Sequence, residues 1–211
     1  YLLLLISGGH SQYLIVKDIN EYEQLGTTID DALGEAFDKT AKMLDLGYPG
    51  GPNIEKFSKL GDKNFYKLPQ PIINKAGCNL SFAGLKTAVL REAKNINGNQ
   101  KLKYNLAASF QYTINKILEK KTKEAMRQFK TKISINEKMS FVVAGGVAAN
   151  LSIRENLTKV SAEMSFTPLF PNLKFCGDNA AMIAWAGIKR FKKKLVDKLD
   201  FVAKSRWPLD P

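Results

Sequence analysis

The fold is decided by the stretch Leu3-Leu4-Leu5-Ile6-Ser7-Gly8-Gly9-His10-Ser11-Gln12-Tyr13-Leu14-Ile15-Val16. Two apolar runs rich in β-formers flank a Ser-Gly-Gly-His corner, which predicts two β-strands joined by a tight turn. Paired glycines carry no Cβ and tolerate a positive φ, so the backbone N–H groups at this corner can converge on an anion. An ordinary hairpin is the alternative, because Gly-Gly is also a common turn former.

A second apolar run that ends in paired glycines lies far downstream, at Phe141-Val142-Val143-Ala144-Gly145-Gly146-Val147. At Gly145 and Gly146 a strand is predicted to turn into a helix, a place that presents N–H groups to a phosphate. We therefore interpret the two strand-to-glycine corners as two walls of a nucleotide site.

The composition is typical of a globular protein, with 45% hydrophobic and 25% charged residues. The net charge of +12 favours an acidic partner such as RNA, although a Lys-rich proteome gives the same bias. No apolar run reaches the roughly 20 residues needed to cross a membrane, so we expect no membrane partner. Cys78 and Cys176 lack CxxC spacing, which predicts reduced thiols in a cytoplasmic protein and no zinc cluster.

The opening hairpin is expected to continue into a third short strand around residues 23–26, which completes an antiparallel meander. Apolar residues at helical spacing then predict a helix that Asp30 or Asp31 caps. The core-facing stripe of this helix consists of Ile29, Leu33, Ala36, Phe37, Thr40 and Leu44. The later elements are predicted as helices at 53–60, 101–129 (one helix or two), 150–164 and 178–193, with strands at 141–144 and 165–170. The segment 81–87 is predicted to lead into a further helix that reaches about Lys94. This order predicts an α/β fold with a mixed sheet flanked by helices.

One side of the long helix is basic, and a basic face is either an RNA-binding surface or an ordinary solvated one. Its side chains are Lys116, Lys120, Lys121, Lys123 and Arg127.

Seven short motifs follow one another along the chain. They are Ser7-Gly8-Gly9-His10, Ile29-Asp30-Asp31-Ala32-Leu33-Gly34-Glu35-Ala36-Phe37-Asp38-Lys39, Tyr48-Pro49-Gly50-Gly51-Pro52, Ser81-Phe82-Ala83-Gly84-Leu85-Lys86-Thr87, Ala144-Gly145-Gly146-Val147-Ala148-Ala149-Asn150, Cys176-Gly177-Asp178-Asn179-Ala180-Ala181-Met182 and Arg206-Trp207-Pro208-Leu209. Together they resemble the tRNA adenosine threonylcarbamoyltransferase family (TsaD), formerly described as glycoproteases.

The resemblance implies one lobe of the actin, sugar-kinase and heat-shock ATPase (ASKHA) fold. It also implies transfer of a threonylcarbamoyl group from threonylcarbamoyl-adenylate to the exocyclic amine of the tRNA adenosine next to the anticodon. The implied partners are tRNA, the adenylate and the other subunits of a tRNA threonylcarbamoylation complex.

The resemblance assigns adenylate binding to Leu5, Ile6, Ser7, Gly8, Gly9, Asp38, Gly51 and Asn150, and metal ligation to Asp178. The residue types suit these roles. The Asp38 carboxylate can accept both hydroxyls of a ribose, and Gly51 lets the backbone approach a ligand. Asp178 offers a hard oxygen ligand, although an N-cap of the final helix is its alternative role.

The metal site departs from the family's pattern. The family binds its metal through an Asp and two His of a His-x-x-x-His helix in the preceding lobe, whereas this chain has one histidine, His10. One carboxylate does not hold a catalytic metal. We therefore expect residues 1–211 to be the second lobe, inactive alone, with residues 178–211 returning toward a missing first lobe. A truncated piece, a split enzyme and a degenerate relative stay open as explanations.

The resemblance implies one divalent metal per full-length subunit, with iron favoured over zinc or magnesium. Two other functions compete with the transferase hypothesis. A small-molecule kinase or ATPase of the same superfamily would turn over ATP without tRNA. A non-catalytic scaffold of a tRNA-modification complex would keep its biological activity after Asp38→Ala or Asp178→Ala. No protein nucleophile is predicted, because Cys78 and Cys176 lack a nearby His and Ser7 belongs to the turn.

Overall fold

A computed structural model of the chain describes residues 1–133 and 139–202. These residues form the strands β1 (Leu2–Ile6), β2 (Ser11–Asp18), β3 (Glu21–Thr27), β4 (Ser140–Ala144) and β5 (Thr167–Leu169). They also form the helices α1 (Leu33–Met43), α2 (Gly50–Ser58), α3 (Ala83–Ala93), α4 (Gln100–Lys132), α5 (Leu151–Glu163) and α6 (Ala180–Lys192). Short 3₁₀ turns span Gly146–Ala149 and Leu173–Phe175. The motif at 206–209 lies outside the described residues.

The five strands form one mixed sheet in the order β3-β2-β1-β4-β5. Strands β1, β2 and β3 form an antiparallel meander, while β4 runs parallel to both β1 and β5. Leu5 pairs with Ala144, so β1 and β4 end side by side. The two glycine corners therefore follow at the same edge of the sheet, and the predicted α/β fold with a mixed sheet is confirmed.

Helix α4 is continuous over 33 residues, so the long-helix prediction is confirmed without a break. Asn99 caps its start by accepting the Leu102 N–H at 3.2 Å. The side of this helix that faces the core includes six fully buried residues: Leu106, Phe110, Ile114, Ile117, Leu118 and Ala125. Buried Tyr13 of β2 ties the sheet to α4 through a 2.8 Å hydrogen bond between its hydroxyl and that of Thr122.

The start of α1 differs from the prediction. Ala32 is the N-cap residue, and the Leu33 N–H donates instead to the Ser11 hydroxyl at 2.8 Å. Asp30 accepts hydrogen bonds from Ser81 Oγ at 2.5 Å and from the Phe82 N–H at 2.7 Å. The Asp30 carboxylate therefore holds the start of α3, a partner about 50 residues away that no local cap pattern reveals.

Asp31 does not cap α1 either. It forms ion pairs with Lys39 at 3.2 Å and with Lys86 of α3. Desolvation alone would raise the pKa of the Asp31 carboxyl, but the hydrogen bonds from Lys86 and Lys39 outweigh it and lower that pKa. Ile29, predicted to face the core, is exposed, while the other five members of its stripe are buried.

Helix α2 begins at Gly50, three residues earlier than predicted. The Gly50 N–H donates to Asp38 Oδ1 at 2.8 Å, which anchors the first turn of α2 on α1. Pro52 fits this first turn because the N–H it lacks would have had no intrahelical partner.

Lys121 is not part of the basic face of α4, contrary to the prediction. Only 2% of it is exposed, and its ammonium donates to the carbonyls of Lys75 and Gly77, both at 2.9 Å. Burial lowers the pKa of this ammonium. The long side chain thus crosses to a loop whose carbonyls satisfy its charge, a contact that helical periodicity does not predict.

Helix α6 projects apolar side chains into solvent, and none of its described residues is buried. Its N-cap is Asn179, whose Oδ1 accepts the Met182 N–H at 3.0 Å, so the predicted Asp178 cap is wrong by one residue. The exposed apolar residues of this helix are Met182, Ile183, Trp185, Ile188 and Phe191. No helix among residues 1–133 and 139–202 has both the length and the apolar character that membrane crossing requires.

Candidate functional site

A cavity of about 430 Å³ opens at the edge of the sheet where β1 and β4 end. This volume falls in the range of small-molecule sites, roughly 300–1,000 Å³. Its walls come from the first glycine corner, α1, α2, the turn after β4, the start of α5 and the turn before α6. They are lined by Gly8, Gly34, Phe37, Asp38, Pro49, Gly51, Pro52, Glu55, Gly146, Val147, Ala149, Asn150, Leu151 and Leu173. We refer to this cavity as the corner cleft.

The first corner is held from within by the Ser7 side chain. Ser7 Oγ accepts the N–H groups of Gly9 at 3.3 Å and His10 at 3.0 Å, so both donors are engaged inside the turn. Neither Gly8 nor Gly9 takes a left-handed φ, and a Cβ on either would meet no atom within 4 Å. Gly8 lines the corner cleft, and the protein leaves room for a methyl group at this position.

Helix α1 packs directly on this corner. The Gly34 N–H donates to the Ser7 carbonyl at 3.0 Å, and a Cβ on Gly34 would lie only 2.7 Å from that carbonyl oxygen. Glycine is therefore required at position 34 for the close approach. The approach places Phe37 and Asp38, one helical turn further on, in the wall of the corner cleft.

The second corner turns at Gly145, whose φ is +96°. A Cβ at this position would overlap the Ile6 carbonyl oxygen at the end of β1. The two corners are thus in direct backbone contact. Gly146 follows in open space on the cleft side, since a Cβ added there would meet no atom within 4 Å.

Asp38 links α1 to α2 at the wall of the cleft. Its Oδ1 accepts the Gly50 N–H at 2.8 Å, and Gly50 packs so closely that a Cβ would lie 2.5 Å from the Asp38 Cα. The neighbouring Gly51 has open space on the cleft side, with no atom within 4 Å of a Cβ position. The carboxylate and this bare backbone therefore lie side by side in the same wall.

Glu55 and Asn150 supply the other polar groups of the cleft. Glu55 Oε1 accepts the Leu151 N–H at 3.1 Å, which joins α2 to α5. Asn150 caps α5 by accepting the Ile153 N–H at 3.0 Å on its Oδ1. Its Nδ2 donates to Gln111 Oε1 at 2.8 Å.

Five of the residues predicted to bind the adenylate meet in the corner cleft: Gly8, Asp38, Gly51, Gly146 and Asn150. The other predicted residues lie outside the lining: Leu5 and Ile6 end β1, Ser7 and Gly9 belong to the first corner and Gly145 to the second. Ile6, for example, is fully buried.

Sequence reasoning missed Glu55 and most of the apolar wall. Glu55 lies four residues after Gly51 on the same helix, a spacing that puts both on one face. That spacing was a usable signal. The apolar residues, such as Val147 and Leu173, have no signal that separates a ligand-facing side chain from one in the core.

Asp178 is exposed and lies just beyond the segment that closes one side of the cleft. Arg154 of α5 holds this segment, since its Nε donates to the Ala148 carbonyl at 2.6 Å and its Nη2 to the Pro171 carbonyl at 2.8 Å. The described part of the chain contains no group of three or more His, Cys, Asp or Glu side chains that could hold a metal ion. Asp178 alone does not fit a complete metal site.

Both cysteines are free and buried. Burial raises the pKa of the Cys78 thiol to about 11, so it is protonated near neutral pH and is a poor nucleophile.

Comparison with known proteins identifies one family. The family model of tRNA N6-adenosine threonylcarbamoyltransferase (TsaD) matches residues 2–185. A tRNA N6-adenosine threonylcarbamoyltransferase of Pelagibacter ubique is 60% identical over 210 residues, covering all of this chain and 58% of its own length. The proteins of the same name from Rickettsia massiliae and Rickettsia canadensis are 49% and 47% identical, with 61% and 62% of their lengths covered. The chain therefore spans about three fifths of the relatives it matches.

Proposed function

The chain belongs to the tRNA N6-adenosine threonylcarbamoyltransferase family, and from this premise we propose that its corner cleft binds threonylcarbamoyl-adenylate. The full-length enzyme would transfer the threonylcarbamoyl group to the exocyclic amine of a tRNA adenosine next to the anticodon. One observation carries the proposal. The cavity between the two glycine corners brings together Gly8, Asp38, Gly51, Gly146 and Asn150, which are scattered widely over the sequence.

The chemistry of the walls supports an adenylate. Mostly apolar lining with a few polar groups suits a flat heterocycle whose orientation must be fixed. The Asp38 carboxylate is an acceptor for ribose hydroxyls. The exposed backbone of Gly8 and Gly146 leaves room for the phosphate at the side where the two corners touch.

The transfer itself is an acyl substitution. The adenosine amine attacks the carbamoyl carbonyl carbon of the adenylate, a C–N bond forms and the bond from that carbon to the phosphate oxygen breaks. The bonding electrons leave with AMP, and the amine loses one proton. The role of this chain's residues is to bind and orient the adenylate, because the proposed reaction uses no covalent intermediate on the protein.

We propose Asp178 as one oxygen ligand of a divalent metal whose other ligands lie outside the described residues. Iron is the favoured ion, and zinc or magnesium are alternatives. The test is the metal content of purified full-length protein, with Asp178→Ala compared with Asp200→Ala, which changes another exposed aspartate of the same C-terminal region. Metal retained in Asp178→Ala would contradict the assignment.

We further propose that residues 1–211 form the second lobe of a two-lobed cytoplasmic enzyme and that the region from 178 onward covers the first lobe. The apolar surface of α6 supports this, because Ile183, Trp185 and Phe191 are 68%, 62% and 74% exposed. Other subunits of a tRNA threonylcarbamoylation complex are the remaining proposed partners. Hydrogen exchange on the full-length protein would test the lobe contact, since α6 amides that exchange as fast as an unprotected helix would contradict it.

The proposed activity is tested by measuring threonylcarbamoyl transfer to tRNA with supplied adenylate and full-length enzyme. Asp38→Ala should lower kcat/KM at least about tenfold, a loss of ~1.4 kcal/mol of binding in the transition state. Asp38→Asn keeps an oxygen for the Gly50 N–H and separates loss of charge from loss of that anchor. Asp45→Ala, at a carboxylate that is 95% exposed, is the matched control.

Two further measurements, tRNA modification in cells and ATP turnover, discriminate the competing functions. A non-catalytic scaffold predicts that Asp38→Ala leaves tRNA modification intact in cells. A small-molecule kinase or ATPase predicts ATP turnover that needs no tRNA. Either outcome would overturn the transferase proposal.

A further inference from the structure

We propose that Gln111 of α4 is a positioning residue that fixes the Asn150 amide so that an N–H of Asn150 faces the corner cleft. The proposal rests on the proposed function, because it concerns how that cleft recognises an adenylate. Gln111 is outside the cleft lining, so it acts through Asn150.

Gln111 lies in an ordered chain of side-chain hydrogen bonds. Its Oε1 accepts from Asn150 Nδ2 at 2.8 Å, and its Nε2 donates to Asn115 Oδ1 at 3.4 Å. Asn115 Nδ2 then donates to the Ser152 hydroxyl at 2.9 Å. Each amide donates to the next residue, from Asn150 to Gln111, from Gln111 to Asn115 and from Asn115 to Ser152, which gives the chain one direction.

The orientation of the Asn150 amide follows from two contacts at once. Its oxygen must accept the Ile153 N–H at the start of α5, and its nitrogen must donate to Gln111. A flipped amide would set an NH₂ group against the Ile153 N–H and an oxygen against Gln111 Oε1. The Ile153 N–H can only donate, so its contact selects the orientation of the Asn150 amide, and the hydrogen bond to Gln111 then holds that amide in place.

The consequence is a donor in the wall of the cleft. An amide NH₂ group has two N–H donors, and one of those of Asn150 donates its hydrogen bond to Gln111 Oε1. Asn150 is only 7% exposed, yet it lines the corner cleft, so the second proton is the group it can offer a ligand. The group recognised there is an acceptor, either a ring nitrogen or a ribose or phosphate oxygen of the adenylate.

Gln111 itself is a suitable place for a mutation. It is 4% exposed and borders a second cavity of about 360 Å³ between α2, α4 and α5. A side chain of similar length can therefore replace it without pressing on the main core. Gln111→Met removes the acceptor at nearly constant volume, and Gln111→Glu keeps an oxygen for Asn150.

The experiment measures AMP binding by calorimetry and transfer kinetics of the full-length enzyme. Gln111→Met should weaken AMP binding and raise KM for the adenylate about fivefold to tenfold, the worth of roughly one hydrogen bond, while kcat changes little. Gln111→Glu should restore most of the affinity. Thr113→Val is the control, because Thr113 is a buried polar residue of the same helix whose hydroxyl donates to the Ser109 carbonyl at 2.7 Å.

A double mutant separates positioning from a merely structural role. If Gln111 acts through Asn150, Gln111→Met adds no further loss of AMP affinity to Asn150→Ala. An additive loss, or a Gln111→Met enzyme with wild-type affinity, would overturn the proposal. If the Gln111→Met variant does not fold, the proposal is tested with Gln111→Glu alone. About tenfold weaker AMP binding by Gln111→Glu would contradict the proposal. Failure of the wild-type enzyme to bind AMP would instead overturn the proposed function.

Discussion

The two glycine corners have the same strand-Gly-Gly pattern but differ in what holds them. At the second corner, Gly145 has a φ of +96° and a Cβ there would overlap the Ile6 carbonyl, so the fold itself requires glycine. At the first corner, neither Gly8 nor Gly9 has a positive φ, and a Cβ added to either would meet no atom within 4 Å. The same residue type is therefore required by packing at one corner and left free by the protein at the other. A glycine that lines a cavity but is not required by packing or by a positive φ points to a role in binding a ligand.

The largest effect is expected at Gly145. Gly145→Ala should lower the free energy of unfolding by about 2–4 kcal/mol, from an alanine forced into positive φ and from overlap with the Ile6 carbonyl. Chemical denaturation measures this loss. Gly146→Ala is the matched control, since a Cβ at Gly146 would meet no atom within 4 Å. Equal losses of stability in the two variants would contradict the claim that the fold requires glycine at 145 but not at 146.

The next effect is expected at Gly34, which packs α1 onto the first corner. Gly34→Ala adds helix propensity, but its methyl would press on the Ser7 carbonyl, so we expect a net loss of about 1–2 kcal/mol. Thermal and denaturant unfolding check the value. A stabilised Gly34→Ala variant would show that α1 can move off the corner at no cost.

Smaller effects on stability are expected at Gly8 and Gly146, where the ligand proposal makes the prediction. The free energy of unfolding of each alanine variant should lie within about 0.5 kcal/mol of the wild-type value, because nothing in the protein contacts the added methyl. Each should nonetheless weaken AMP binding about tenfold, because both residues line the corner cleft and an added methyl would compete with the ligand for space. Calorimetric titration of the full-length enzyme measures the affinity, and unchanged affinity in both variants would break the comparison.

The smallest effect is expected at Gly9, which lies outside the cleft lining. Its N–H is already bonded to Ser7 Oγ, a contact that alanine keeps. Gly9→Ala should change neither stability nor AMP affinity by more than about 0.5 kcal/mol. A loss of affinity equal to that of Gly8→Ala would place the ligand deeper over the first corner than we propose.

Sequence patterns were sufficient for the sheet and for half of the proposed site. Apolar runs rich in β-formers and their glycine endings predicted β1, β2 and β4, and the family motifs pointed to Asp38, Gly51 and Asn150. These features are local, so a window of a few residues contains them.

What the sequence did not predict depends on partners distant along the chain. Asp30 was expected to cap the helix beside it, but its carboxylate holds the start of α3 instead, far along the chain. Lys121 was expected on the exposed basic face of α4, but its ammonium donates to the carbonyls of residues 75 and 77. The role of Gln111 likewise appears only when α4 and α5 are packed together.

A crystal structure of the full-length enzyme with bound AMP tests the central claim most directly. We predict the phosphate between Gly8 and Gly146, the ribose beside Asp38 and the base against the apolar wall that includes Phe37. AMP bound in the cavity between α2, α4 and α5, or a corner cleft filled by side chains from the rest of the enzyme, would contradict the account.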